Sequence, residues 1–484
     1  MPPATSAEVL KSLARADLAA LGFPGAPWVV PALPKEPGLE DVLIVGGGQS
    51  GLMSAAALIW DGLGKVAVLD AAPHGAEGPW TTFARMAELR TPKTAFGIEF
   101  NVPNLSVQAF IEARDGAGAW ESFARVPRED WKAYLDWYAH VFGLDIESNA
   151  QVLDVGPDPV GVRVTVSQGG KTTERRARAV VLATGYEGAG AWRAPAFVSE
   201  ALPPERYDHT NSALDPARLK GRRIGVLGHG ASAFDNAIFA LEQGAASAEV
   251  CFRRAKLPRV NPHRALENAG LMANFPDLAD LTKWRIGRYF RGNDQPPPIR
   301  AFETAMALPG FSLRPATPWL AVRETATGVR VTTSQGELEY DHLLLATGMI
   351  GDLSLRPELA TLKDRVLLWS DRFQAPEGEE DARLDAMPYL DAHYAFQPRA
   401  AEDAWVSRVF AFNSSSFVSH GPHSTAVSGH RHCLPRLVRG IGRRLLLDRE
   451  AEILPALLAF RSPDLPVDDD FETRLRAEAR AAAE

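Results

Sequence analysis

Two short stretches of the chain carry residue types that bind phosphate. In VLIVGGGQSGLMSAAAL, Val42 to Leu58, Gly46, Gly48 and Gly51 stand in the spacing G-x-G-x-x-G between an apolar run and an Ala-rich one. That pattern suits a strand, a tight turn and a helix. Gly46 allows the turn, Gly48 lets backbone amides approach a pyrophosphate, and Gly51 lets helix and strand pack closely, while Gln49 and Ser50 ride on the turn. The helix N-terminus adds its positive end. The next apolar run, KVAVLD, ends at Asp70, 24 residues after Gly46, near the ~20 at which an acid accepts hydrogen bonds from ribose hydroxyls. In RRIGVLGHGASAFDNA, Arg222 to Ala237, the pattern returns as Gly228, Gly230 and Ala233, with Ser232 on the turn. Its second strand, AEVCFRR, ends on Arg253 and Arg254 instead of an acid. Basic residues there suit the 2′-phosphate of NADPH, although two arginines at a strand end also suit solvent.

These residues need a frame, and the sequence repeats one. GVRVTVSQGG, Gly161 to Gly170, returns as GVRVTTSQGE, Gly328 to Glu337. Each copy leads into an apolar strand closing on Ala-Thr-Gly, at Thr184-Gly185 and at Thr347-Gly348. A fixed order of glycine turn, β-meander and Ala-Thr-Gly turn thus occurs twice. The fold class expected is α/β: two Rossmann-like dinucleotide-binding domains, each with a β-meander, the second inserted into a discontinuous first. The boundaries expected are an N-terminal extension over 1–37, a flavin domain over 38–205 and 342–484 with C-terminal helices, and an NADPH domain over 206–341. A flavin held by one module and a nicotinamide brought by the other imply hydride chemistry supplied by the cofactors FAD and NADPH.

Other readings are weaker. Val42 to Trp60 is an uncharged run of bilayer length, but its central glycines would weaken a helix in lipid. The net charge of −8 offers no attraction to nucleic acid or an anionic membrane surface. Two cysteines, Cys251 and Cys433, exclude a disulfide framework and suit a reducing cytoplasm. The first residues lack a secretory signal and suggest an amphipathic helix from about Ser6. His420, His423, His430 and His432 cluster, but the Gly-Pro between the first pair fits a turn better than a metal site, so no metal is expected. Neither G-x-S-x-G nor a cysteine pair at redox spacing occurs. The aromatic and Arg-rich segment 259–302 fits either a cover over the active site or a surface helix carrying Trp284, Arg288 and Arg291 on one face.

Together VLIVGGGQSG, LDAAPHGAEGPW, RVPREDWKAYLDWYAHVFGL, VLATGYEG, LGHGASAFDNA and LLLATG resemble the flavin-dependent monooxygenases with two dinucleotide-binding domains: flavin-containing, N-hydroxylating and Baeyer–Villiger enzymes. The resemblance covers roughly 41–439. It implies that Gly46, Gly48, Gln49, Ser50, Gly51 and Asp70 bind FAD, with Trp80, Lys93, Val152, Thr184 and Gly185 also at the cofactors. Gly228, Gly230, Ser232, Ala233, Arg253, Arg254, Thr347 and Gly348 would serve NADPH. In FNSSSFVSHGPHSTAVSG, the turn His420, Gly421, Pro422 and Ser424 would open a helix beneath the flavin ring, and Arg90, Asn413 and His423 would act in catalysis. Arg90 stands where flavin-containing monooxygenases carry an Asn, and Lys93 matches their Lys. Near His209, Pro203 and Glu205 replace the Phe and Gly of the family fingerprint. The activity implied is transfer of one oxygen atom from O2, through a flavin carbon-4a hydroperoxide, to a nucleophilic nitrogen or sulfur of a small molecule. Baeyer–Villiger or carbon hydroxylation, or reduction of an acceptor without oxygen transfer, are the alternatives; homo-oligomerisation is left open.

Overall fold

The computed structural model describes residues 6–28, 38–95, 97–465, 467–468 and 470–483. The expected N-terminal extension therefore falls partly outside the described residues. Its helix, Ser6–Ala20, starts where the sequence suggests and buries Leu10, Ala14 and Leu18. Arg15 fastens it by donating to the carbonyls of His140 and Val141.

The uncharged run Val42–Trp60 folds as a strand, a turn and a helix, not a span; among the described residues no helix is long and apolar enough to cross a membrane. Strands β1 (Leu39–Val45), β2 (Val66–Leu69) and β3 (Ile146–Glu147) are parallel, and a meander follows: β4 (Gln151–Asp158), β5 (Gly161–Gln168) and β6 (Lys171–Leu182). The first half of β6 pairs antiparallel with β5, and its second half pairs parallel with β1, giving the order β3-β2-β1-β6-β5-β4. After β6 the chain forms β7 (Gly190–Trp192) and enters a second sheet through β8 (Tyr207–His209), β9 (Arg223–Leu227), β10 (Ser247–Cys251) and β11 (Phe311–Arg314). The second meander is β12 (Trp319–Glu324), β13 (Val329–Thr333) and β14 (Gly336–Tyr340); then come β15 (His342–Leu345), β16 (Met349–Gly351) and, on the far edge of β6, β17 (Val409–Phe410).

The repeat is thus a repeat of structure. β4-β5-β6 corresponds to β12-β13-β14, but one long β6 is replaced by two strands, β14 and β15, separated at Asp341. That carboxylate accepts from the Arg223 amide, which ties the break to β9. The boundary expected at 341 needs correction for this reason. β15 lies between β9 and β8 in the all-parallel order β11-β10-β9-β15-β8, so the inserted unit continues through Leu345. β7 and β16, the two crossings between units, pair antiparallel with Trp192 opposite Met349 and Gly190 opposite Gly351. A Cβ on Gly190 would meet the Ile350 carbonyl oxygen at 1.8 Å, so the crossings touch backbone to backbone.

Each sheet has its own apolar core. Leu43, Val164, Val180, Leu362 and Val409 belong to the first; Ile224, Val226, Ala237, Val250 and Leu344 belong to the second. Residues Arg443–Glu484 form a separate compact unit, in which the helix Glu450–Ala459 exposes Ile453, Leu454, Leu457 and Leu458.

Candidate active site

The first glycine turn is built as its spacing implies. Gly46 has φ +108°, a conformation that disfavours any side chain, and its amide donates to Leu69 O at the end of β2. A Cβ on Gly51 would lie 1.8 Å from Gly46 O, so helix and strand touch. Gly48 differs: a Cβ there meets only Gly78, at 3.5 Å, and otherwise opens on free space. The helix Gln49–Trp60 begins at Gly48 with no side chain capping it, which leaves its first amides for a ligand. Asp70 accepts from the Gly47 and Ala72 amides, both at 2.7 Å. Trp80 Nε1 is buried without a hydrogen-bond partner, beside Gly78 and hence beside Gly48. A phosphate cradle, an anchored acid and an orphaned donor in one place fit a flavin dinucleotide.

Ser50 and Gln49 also reach the return segment. Ser50 Oγ is 2.9 Å from His430 Nε2, and the Gln49 amide reaches Thr425 O at 3.5 Å while accepting from Trp131 Nε1 at 3.3 Å. The first turn is thereby tied to the helix Val427–Leu447. Thr184, at the first Ala-Thr-Gly turn, accepts from Asn413 Nδ2 at 3.1 Å, and Asn413 Oδ1 accepts from the Ser415 amide and hydroxyl. Donor and acceptor of Asn413 are both engaged, and its role here is to fasten Thr184 to the return segment. Val152 sits in β4 opposite Val166, half-buried against the first core.

The turn His420–Ser424 faces a small cavity lined also by Leu266, Leu271, Met272 and Phe275 of the segment between β10 and β11. Gly421 has φ +87°, and a Cβ there would meet the Phe275 ring at 2.8 Å. In segment 259–302, Phe275 lies over this turn. Trp284, however, is neither cover nor surface: it is fully buried against Trp369 and Phe373, while Arg288 and Arg291 bind Gly378 O and Asp381.

Burial dominates the electrostatics of this turn. It pushes His420 down to about 3, and His423 and His430 to about 4. All three rings are neutral at pH 7. His420 stacks on Tyr394 and bonds Asp391 O; His423 Nε2 is buried without a hydrogen-bond partner, with Glu267 Oε1 3.7 Å away and the His263 ring 5.1 Å away. An unfolded histidine titrates near 6.5, so between about 6.5 and 4 the unfolded chain binds protons that the folded one does not. Stability is full above that window and falls as pH drops through it, by up to ~1.4 kcal/mol per pH unit for each histidine. Thermal melts of the holoprotein should show Tm falling from about pH 6.5, above the carboxylate range. His430→Gln should shallow that slope, and an unchanged slope would remove His430 from the explanation.

Lys93, expected at the cofactors, and Arg90, expected in catalysis, both bind groups of the protein itself. Lys93 Nζ donates to Trp120 O at 2.7 Å and pairs with Glu121, over the Trp120 and Phe123 rings. Arg90 Nη2 pairs at 3.0 Å with Asp235, a buried acid on the helix Ala231–Glu242 that follows the second glycine turn. Arg85 makes a parallel clamp, donating to Thr210 O, Ser212 O and Asn236 Oδ1. Asp235, Asn236 and Arg85 were not anticipated from sequence; their one signal is an acid and an amide on an otherwise apolar helix.

The second turn copies the first. Gly228 has φ +132° and donates to Cys251 O, Gly230 starts an uncapped helix, and Ala233 is fully buried. Ser232 accepts from Asn236 Nδ2 through its carbonyl. Thr347 and Gly348 close β15 and lead into β16, with Gly348 at φ +77°. Arg253 is exposed; Arg254 is bonded to Asp294 and to Gly292 O.

Comparison with known proteins decides the class. Residues 43–187 match a family described as FAD-NAD(P)-binding, and 119–265 match the L-lysine 6-monooxygenase/L-ornithine 5-monooxygenase family. The FAD-dependent urate hydroxylase of Xanthomonas campestris pv. campestris is 44% identical over 447 residues, 92% of this chain and 94% of that one. The chain belongs to that family of flavoprotein monooxygenases. The monooxygenase also shares its fold with the ornithine hydroxylase of Pseudomonas aeruginosa, with TM-score 0.67 at 19% identity, covering 84% of this chain and 100% of that one. The L-lysine 6-monooxygenase of Pseudomonas syringae follows at 0.61 and 17%, covering 84% and 99%. FAD and NADPH are therefore the cofactors of the monooxygenase, whose fold matches flavin monooxygenases with FAD- and NADPH-binding Rossmann-like domains.

Proposed function

We propose that the chain hydroxylates urate or a close oxopurine relative, consuming one NADPH, one proton and one O2 and releasing NADP+ and one water. Identity to the urate hydroxylase along nearly the whole chain carries this reading. It moves the favoured atom away from the nitrogen or sulfur that the sequence resemblance suggests. Ring nitrogens of an oxopurine are amide-like, with lone pairs held in conjugation, so the electron-rich shared carbon–carbon double bond is the nucleophile. When bound, reduced FAD supplies the two electrons that activate O2. The chain supplies position and dryness. Gly46, Gly48, Gly51 and the uncapped helix hold the pyrophosphate and Asp70 the ribose; Gly228, Gly230 and Ser232 do so for NADPH, with Arg253 and Arg254 at its 2′-phosphate. Phe275, Leu271 and Met272 exclude water from the His420–Ser424 turn. His423, neutral and beside Glu267, is placed to take and return the proton of an acidic ring N–H.

A second reading, N-hydroxylation of a primary amine, is favoured by the lysine/ornithine monooxygenase match over 119–265. NADPH and O2 consumption measured with urate, xanthine, ornithine and lysine separates them. Urate should accelerate both, suppress hydrogen peroxide release and give a product carrying one oxygen-18 atom from labelled O2. Acceleration by an amine and not by urate would reverse the assignment. A dye or quinone reduced faster than O2 with every substrate would make the chain a reductase.

A further inference from the structure

Near-equivalence of the two glycine turns exposes one residue that belongs to neither. In the first turn the amide after Gly46 donates to Asp70, just past the end of β2. In the second, the residue after Gly228 is His229, and the position matching Asp70, after Cys251, is Phe252; neither supplies an acid. An acid nevertheless arrives. Asp294, from the loop after the helix Asp280–Gly292, places Oδ2 3.1 Å from His229 Nε2 and 2.7 Å from Arg254 Nη2. Arg254 Nε donates to the same oxygen at 2.9 Å.

We propose that Asp294 is a selectivity residue of the coenzyme site: it holds on Arg254 the place that the coenzyme 2′-phosphate takes, and must give it up when NADPH binds. This rests on the reading of Arg253 and Arg254 as phosphate ligands. A carboxylate and a phosphate oxygen present the same acceptor to a guanidinium, and one fork cannot serve both in full. His229, half-buried with its pKa lowered chiefly by burial, adds no full charge. The site therefore faces an incoming dianion with Arg253 uncommitted and Arg254 already neutralised; Arg253 has no ion-pair partner among the described residues. An acid so placed penalises only the phosphorylated coenzyme and narrows the preference that the two arginines create. Both Asp294 and Arg254 are more than a third exposed, so the penalty is that of an exposed pair, about two- to fivefold in binding.

Calorimetric titration of the FAD-loaded protein with 2′,5′-ADP and with 5′-AMP isolates the phosphate. Asp294→Asn should tighten 2′,5′-ADP by about two- to fivefold and leave 5′-AMP unchanged. Arg254→Gln should weaken 2′,5′-ADP alone, by about tenfold, and adding Asp294→Asn to it should bring no further gain. If Arg254→Gln weakens 2′,5′-ADP but Asp294→Asn leaves it unchanged or loosens it, the placeholder role fails while the phosphate reading stands. If Arg254→Gln is silent, that reading fails and Asp294 with it. Thermal melts of each variant identify a loss caused by unfolding, and Asp294→Ala repeats the test without an amide in place of the acid.

Discussion

Gly48→Val should yield a folded, colourless protein, whereas Gly51→Ala should damage fold and flavin binding together. The two glycines share one turn and differ in what a side chain would meet. At Gly51 a single methyl would sit 1.8 Å from Gly46 O, and strand and helix would have to separate. Overpacking of that kind costs ~1–3 kcal/mol or more. At Gly48 the backbone is extended, with φ −69°, and the chain offers only Gly78 at ordinary contact distance. Valine there costs the apoprotein no more than a poorer helix start, ~1 kcal/mol. It fills the space a pyrophosphate needs, and FAD affinity should drop by more than about 100-fold. Apoprotein melting and flavin content after reconstitution check both. A yellow Gly48→Val protein would place the pyrophosphate elsewhere.

Arg90→Ala should lower stability and slow reduction by NADPH, and Asp235→Asn should reproduce the change in reduction rate. The pair joins the segment after Trp80 to the helix of the second glycine turn. Removing one partner of a buried pair costs ~3–5 kcal/mol; Arg90 is 44% exposed, which reduces the expected loss to ~1–2 kcal/mol. Burial already raises the Asp235 pKa, and Arg90 opposes that rise, so without Arg90 it should rise further, which softens the loss. If Arg90 works by holding the coenzyme helix, the double variant is no worse than either single one. Stopped-flow reduction and reoxidation separate this role from direct action on bound oxygen: the latter would slow or uncouple reoxidation in Arg90→Ala alone and leave Asp235→Asn normal.

What sequence shows here is what local rules control. Strand, turn and helix at Gly46 and Gly228, and the paired meanders, follow from glycine positions and apolar periodicity within about 30 residues. The contacts that finish the site join residues hundreds of positions apart, such as Ser50 to His430 and Thr184 to Asn413, and no spacing rule records them. Asn413 and Lys93 were singled out by resemblance, but each spends its hydrogen bonds on the protein's own backbone and side chains. The boundary placed before β15 failed for a related reason. His342–Leu345 is four apolar or half-polar residues that suit either sheet, and only pairing with β9 and β8 assigns it. For Trp284 the sequence leaves a cover and a surface helix both open and neither holds, because its partners Trp369 and Phe373 lie more than eighty residues on.

The ribbon of β7 and β16 makes the coenzyme domain a cassette. Trp192 and Met349 are register partners, so the chain leaves its host and re-enters it at points as close as the two arms of a hairpin, ~5 Å apart. The two sheet cores share no residues across this seam, the first drawing on residues up to 182 and from 353 onward and the second on residues between 219 and 344, but Trp284 of the insert is buried in a further cluster with Trp369, Leu384 and Val418 of the host. An ancestral host that ended one strand at Ala-Thr-Gly could therefore accept a copy of its own architecture at that exit without cutting a strand or opening either sheet's core. Exchange of the cassette would leave the flavin cradle intact only if the new insert kept a partner for Arg90 and a ring to fill the place of Trp284 against Trp369 and Phe373.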